Sequence, residues 1–227
     1  MRALSNIGTS FVTLLWMTSI VFTLACGTGN SQIRLLNASP GESSLTASVG
    51  GTSIATTVNY GTASSYISVP SGSATLAVEA AGTTSLLINA SITLSSNTSY
   101  TVLAGNYSSA INATILSDDN TTPASGNVSI RLVNASPTLG TADVYVLAPG
   151  SSLSSATPVV TSLNFESASS YQSLSAGNYE VYFTQPGQKS AVIDSGPLTL
   201  TSQQIRTVVG LDGESGGYET AVLSDLN

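Results

Sequence analysis

The segment Ile33-Arg34-Leu35-Leu36-Asn37-Ala38-Ser39-Pro40 returns as Ile130-Arg131-Leu132-Val133-Asn134-Ala135-Ser136-Pro137, with one difference, Leu36 against Val133. Further matches follow in the same order. Ala63-Ser64-Ser65-Tyr66 pairs with Ala168-Ser169-Ser170-Tyr171, and Leu116-Ser117-Asp118 with Leu223-Ser224-Asp225. Val69-Pro70-Ser71-Gly72 corresponds more loosely to Leu174-Ser175-Ala176-Gly177. Matches that keep their order mark a tandem duplication, so the fold has to be one that a unit of about 90–100 residues can build twice, each with its own core. The second copy carries extra residues around Ala148 to Thr157, which read as a longer hairpin loop. Residues 119–127 are rich in Asn, Thr, Pro, Ser and Gly and read as the linker.

Each copy reads as short strands. Thr75-Leu76-Ala77-Val78-Glu79 and Tyr179-Glu180-Val181-Tyr182-Phe183 have the two-residue period of strands with one wet face. Ser99 to Leu103 and Arg206 to Gly210 are rich in β-branched residues and bounded by turn residues. Ile33 to Asn37 alternates only partly. Turn signals at Gly50-Gly51, Pro70-Ser71-Gly72, Ala81-Gly82, Ser95-Ser96-Asn97 and Gly105-Asn106 recur at sandwich spacing. The expected fold class is all-β: two tandem immunoglobulin-like β-sandwich domains of roughly seven strands each, after an N-terminal signal segment. Asn-Ala-Ser-Pro reads as a strand-ending corner. Pro40 and Pro137 cannot donate to a ladder, and Asn and Ser side chains satisfy backbone groups in a turn.

The first 25 residues read as an address. Met1-Arg2 gives a positive start, Phe11 to Phe22 an apolar run, and Thr23-Leu24-Ala25 a small-residue exit. The run is shorter than the roughly 20 residues that span a bilayer. Leu24-Ala25-Cys26 resembles the end of a bacterial lipoprotein leader, in which the cysteine is acylated and becomes the first mature residue. Thr23 departs from the Leu which that consensus prefers, and this keeps cleavage by the ordinary signal peptidase as an alternative. Cys26, the only cysteine in the chain, is the expected lipidation site. Acylation on two positions would hold a membrane where one chain binds marginally. Residues 26–32 then read as the lipidated Cys and a flexible tether, 33–118 as the first repeat, and 128–227 as the second.

Composition excludes several chemistries. Charged residues are 7% of the chain, against roughly 25% in ordinary domains. Lys plus Arg is 5 and Asp plus Glu 12, a net −7. Loss of Arg2 with the leader makes this 4 − 12 = −8. Such a surface repels phosphates, so no nucleic-acid partner is expected. There is no histidine, so the usual zinc and copper ligand sets are missing, and no metal or cofactor is expected. Gly213-Glu214-Ser215-Gly216-Gly217 matches the nucleophile pattern of serine hydrolases. A serine needs a base to take its proton, and Lys189 is the only lysine, so the string reads as a hairpin turn. Ser117-Asp118-Asp119-Asn120 offers oxygen ligands without the spacing of a calcium loop and reads as solvated linker. Glu79, Asp143, Glu166, Glu180 and Asp194 could serve glycoside hydrolysis only if two of them sat at a fixed separation.

The order of strand, Asn-Ala-Ser-Pro, Asp143-Val144-Tyr145-Val146 and Gly61-Thr62-Ala63-Ser64-Ser65-Tyr66 resembles the bacterial domain of unknown function numbered 4397. That resemblance covers nearly everything after the tether. It implies exported or surface-attached β-domains, often in tandem, and no established activity. Asn37 and Asn134 stand where the family usually has His. Leu45 to Val49 stands where the first copy would carry Asp-Val-Tyr-Val.

Together these features point to a non-catalytic exported lipoprotein of the bacterial cell envelope, serving structure, adhesion or recognition. Its partners would be the lipid bilayer, through acylated Cys26, and an envelope protein or glycan. The alternative is a carbohydrate-binding or carbohydrate-processing surface protein. For that reading a pocket with clustered tyrosines and paired carboxylates is the feature to find, with Tyr171, Tyr179 and Tyr182 the first rings to inspect.

Overall fold

A computed structural model of the chain describes residues 29–226. The leader and Cys26 lie outside the described residues. The first half contains β1 (Asn30–Ala38), β2 (Ser44–Val49), β3 (Thr52–Asn59), β4 (Ile67–Pro70), β5 (Gly72–Ala80), β6 (Leu86–Leu94), β7 (Ser99–Gly105) and β8 (Asn112–Asp118). They form two four-stranded sheets, ordered β4-β1-β7-β8 and β3-β2-β5-β6. The contact of β1 with β7 is parallel and the other pairings are antiparallel. Ile33, Leu35, Leu45, Leu76, Val78 and Val102 fill the space between the two sheets and are almost fully buried.

The second half repeats this plan. It contains β9 (Asn127–Asn134), β10 (Ala142–Leu147), β11 (Val160–Leu163), β12 (Ser167–Ala168), β13 (Gln172–Ser175), β14 (Gly177–Thr184), β15 (Ala191–Asp194), β16 (Leu198–Leu200), β17 (Ile205–Asp212) and β18 (Tyr218–Leu226). One sheet runs β12-β9-β17-β18, with β13 also on β9. The other runs β11-β10-β14-β15, with β16 also on β14. β9 and β17 are the parallel pair. Ile130, Leu132, Val144, Val181, Phe183 and Val208 lie in its core. The all-β sandwich expectation is met, with eight strands in the first unit and ten in the second where about seven each were expected. The Ala148 to Thr157 excess forms a loop with one 3-10 turn, Leu153–Ser155.

Two boundaries differ from the sequence reading. Asn30, Ser31 and Gln32, expected in the tether, are laddered onto Pro70, Val69 and Ser68. Asn127, expected in the linker, already pairs with Ser175. In both places the backbone donors find partners in a sheet edge, and that outweighs the weak strand propensity of Asn and Ser.

A third core lies between the halves. Leu36, Ala38, Leu103 and Leu116 of the first half pack with Val133, Ala135, Val209, Leu211, Ala221 and Leu223 of the second. The central strands β1, β7, β9 and β17 are therefore buried on both faces. This explains why Ile33 to Asn37 alternates poorly: a strand covered on both sides has no wet face to mark.

Candidate functional site

The two Asn-Ala-Ser-Pro corners are built alike. Asn37 is fully buried. Its Nδ2 donates to the carbonyls of Glu42 (2.9 Å) and Val58 (3.2 Å), and its Oδ1 accepts from the Ser39 amide (3.2 Å). Asn134 repeats this with the carbonyls of Gly140 (2.6 Å) and Leu163 (3.0 Å) and the Ser136 amide (3.3 Å). One amide thus closes a corner that would otherwise leave buried backbone groups unpaired, at about 1–3 kcal/mol each. Only a side chain carrying both a donor and an acceptor can do this.

Beside the third core lies a layer of buried charge. Arg34 Nε donates to Thr101 Oγ1 (2.9 Å) and Nη1 to the Ser224 carbonyl (2.9 Å), while Nη2 meets the Asp225 carboxylate. Arg131 mirrors this: Nε to Thr207 Oγ1 (3.0 Å), Nη1 to the Ser117 carbonyl (3.1 Å), Nη2 to Asp118 Oδ1 (2.7 Å). Each guanidinium belongs to one half and its carboxylate to the other, and the carboxylate side chains are 0% exposed. Thr101 and Tyr66 both donate to Asp118 Oδ2 at 2.7 Å. Thr207 and Tyr171 donate to Asp225 Oδ2 at 2.6 and 2.9 Å. Arg34 stacks 4.5 Å over the Tyr66 ring and Arg131 4.8 Å over Tyr171. Burial, foremost, pushes both tyrosine hydroxyls well above their ordinary range; the adjacent carboxylates add to this and the guanidiniums oppose it. Two positive and two negative groups cancel here, and the guanidinium forks and hydroxyl donors pair with both carboxylates.

At another edge of the interface is an open cleft of about 320 Å³ lined by Pro40, Tyr107, Thr138, Asp212, Glu214 and Tyr218, among others. The first half contributes Pro40 and Tyr107 and the second half the rest. Asp212 ends β17 and is 5% exposed. Its Oδ1 accepts from Ser136 Oγ, and its Oδ2 from Thr138 Oγ1 (2.7 Å) and Tyr107 OH (2.9 Å). Tyr60 OH donates to the Asp212 carbonyl. Tyr107 and Tyr218 keep 45% and 38% of their surface exposed, among the most exposed large side chains described. Glu219 lies close by, against Gly61. Desolvation, and then repulsion from Glu214, raises its carboxyl above the usual range.

The cleft exists once. Offsets between the matched strands place Asn106 where the second half has Asp212. Asn106 Oδ1 instead accepts from the Tyr107 amide, and the buried Ser39 Oγ, counterpart of Ser136, has no partner among the described residues.

The residues singled out from sequence fall elsewhere. Tyr171 belongs to the charge layer. Tyr179 and Tyr182 sit three apart on β14, so they face opposite ways. Tyr179 packs on the second core. Tyr182 donates to Glu180, and that bond chiefly pushes its hydroxyl up to about 12. Asp143 accepts from the amides of Ser162 and Gly187, both at 2.8 Å. Asp194 accepts from the Gly196 amide, and Glu166 from Asn112 Nδ2. Glu79 lines a shallow hollow on β5 with small side chains. Each carboxylate serves a separate local contact.

Gly213 to Gly217 is a hairpin turn, closed by the Gly213 amide on the Gly217 carbonyl (2.8 Å), with Gly216 and Gly217 at positive φ. Lys189, the one lysine, is held at the Tyr145 hydroxyl and the Ala156 carbonyl. The solvated-linker reading of Ser117 to Asn120 needs correction: Ser117 and Asp118 belong to β8, and Asp118 is a buried ion-pair partner. Its attraction to Arg131 outweighs the polarity of its neighbours. Among the described residues no three His, Cys, Asp or Glu side chains are grouped to hold a metal ion.

Two β-sandwiches joined through a neutral layer of buried charge, with one aromatic cleft at their seam, define the class of protein. The chain belongs to the family described as a domain of unknown function, DUF4397, whose profile matches residues 31–145, the first sandwich and the start of the second up to Tyr145. No curated protein matches the chain. Among solved structures it is similar to a family 26 carbohydrate-binding module of Eubacterium rectale in complex with maltoheptaose, at 9% identity and a TM-score of 0.25, covering 86% of this chain and 96% of that one. It is also similar to family 41 carbohydrate-binding modules from streptococcal virulence factors, described for α-glucan recognition, at 12% identity and a TM-score of 0.28, covering 86% and 97%. The Bacillus anthracis TIE protein matches at 10% identity and a TM-score of 0.27, over 81% of this chain and 33% of that one. Scores this low carry no inference about ligand.

Proposed function

We propose that this is a non-catalytic protein of the bacterial envelope, exported by its leader and tethered through acylated Cys26, in which two tandem copies of the family unit act as one rigid body for structure, adhesion or recognition. The observation that carries the reading is the buried layer of Arg34, Asp225, Arg131 and Asp118. The most concentrated charge in the described chain joins the halves and is almost wholly buried. A body of this kind suits a module held at a fixed orientation on a surface. The lack of imidazole in all 227 residues supports the non-catalytic part, since the commonest proton shuttle near neutral pH is missing. Fractionation of cells expressing the Cys26→Ser chain tests the anchor. The expected outcome is release of the protein from membranes, and retention equal to the unaltered chain would refute lipidation.

Carbohydrate recognition is the second reading. It is favoured by one observation: the half-exposed rings of Tyr107 and Tyr218 stand beside Asp212 and Glu214 in a cleft. Saturable binding of a neutral oligosaccharide, lost in Tyr218→Ala, is the result that would establish it.

A further inference from the structure

We propose that the cleft between the halves, walled by Tyr107 and Tyr218 with Asp212 at its base, binds an organic ammonium group. This goes beyond the tethered-module reading and stands whether or not Cys26 is acylated.

Charge decides the class of ligand. Asp212 and Glu214 line the cleft, and no basic side chain lines it. The basic residues of the described chain are engaged elsewhere. Arg34 and Arg131 are in the buried layer, Lys189 holds the Ala156 loop, and Arg206 bonds the Ile205 carbonyl and Ser224. The Glu219 carboxyl is raised first by desolvation and only then by repulsion from Glu214. An anion would be repelled. A neutral sugar could stack on the rings and would leave this field unused. A cation gains from both.

The cleft is arranged before any ligand arrives. Three hydroxyl donors hold the Asp212 carboxylate, which has about four lone-pair sites, so its orientation is fixed and one acceptor site remains open. Tyr107 gives its proton to that carboxylate. The bond draws electron density onto the phenol ring, and an electron-rich ring face holds an ammonium more strongly. Three hydroxyl protons pointing at Asp212 disfavour a bare metal ion, which needs the carboxylate oxygens itself; calcium takes about 6–8 oxygens. The volume of about 320 Å³ accepts an ammonium with a short alkyl chain.

The test titrates the purified full chain with tetramethylammonium chloride and, separately, n-butylammonium chloride, at constant total chloride, and follows backbone amide resonances. The expected result is saturable shifts at Tyr107, Thr138 and Gly213 to Tyr218, with a Kd on the order of 1 mM. Tighter tetramethylammonium binding would assign a quaternary ligand, and tighter n-butylammonium a primary amine. Glu214→Gln and Tyr218→Ala alter exposed positions and should each weaken binding about tenfold while thermal melts stay unchanged. Shifts that grow linearly without saturation, or saturate equally in both variants, overturn the proposal. Saturation of the same resonances by maltose and by neither ammonium salt also overturns it, in favour of the saccharide reading.

Discussion

Replacing Arg131 by Met tests whether the halves are held together by the buried charge. The change keeps much of the side chain's length and removes a guanidinium that bonds Thr207, Ser117 and Asp118 and stacks on Tyr171. The cost arises largely at what stays behind. Asp118, with its side chain 0% exposed, keeps two neutral donors, Thr101 and Tyr66, and loses its counter-ion. Removing one partner of a buried pair costs about 3–5 kcal/mol. The two remaining donors place this case at the lower end, about 3 kcal/mol, a large share of the roughly 5–15 kcal/mol that holds a typical domain folded. Urea unfolding followed by circular dichroism measures the loss. Adding Asp118→Asn to Arg131→Met removes the stranded charge and should return at least about 1 kcal/mol. A loss under about 1 kcal/mol for Arg131→Met, the range of exposed pairs, would refute the reasoning. So would a double variant whose loss equals the sum of the two single losses.

Two further outcomes are expected. A Cβ on Gly105 would stand 2.8 Å from Glu166 Oε1, the far end of a flexible side chain. Gly105→Ala should therefore displace the Glu166 carboxylate from Asn112 and change stability by less than about 1 kcal/mol. Glu166→Ala in that background should leave the alanine neutral or stabilising. A loss above about 2 kcal/mol for Gly105→Ala would contradict a Glu166 side chain free to move aside. The hydroxyls of Tyr60, Tyr66 and Tyr171 are all raised, chiefly by burial. Unfolded tyrosines ionise near pH 10, so the folded state holds these protons more tightly. The stability this gives is intact below about pH 10 and is lost as pH rises further. A spectrophotometric pH titration should show Tyr60, Tyr66 and Tyr171 ionising only as circular dichroism is lost. Full ionisation of a still-folded chain would count against it.

Much of the fold could be read from the sequence, because a two-residue period survives in β5 and β14, and β7 and β17 are β-branched runs bounded by turn residues. The Asn corners were also legible, since Pro40 and Pro137 had to end their strands. The third core was not. Leu36 and Val133 look like ordinary strand residues, and an apolar run does not say how many faces it covers. A signal for the buried layer was nonetheless present. Each of the three closest matched segments carries one of its members, Arg34 with Arg131, Tyr66 with Tyr171, and Asp118 with Asp225. Charge repeated at fixed places in a chain with so little of it was the clue. The cleft left no such mark, because Asp212 has Asn106 as its counterpart and lies just outside the glycine-rich turn string.

The contact around Gly105 shows how far the two copies have become specialised. Glu166 of the second half lies over Gly105 of the first, beside Asn112. On the mirrored side Gly61 occupies Glu166's place and meets Leu211 and Glu219, the counterparts of Gly105 and Asn112. A partnership of two second halves would drive Glu166 into Leu211, and one of two first halves would leave glycine facing glycine across a void. The two copies are therefore no longer interchangeable at this seam, each shaped to the side chain its own partner presents.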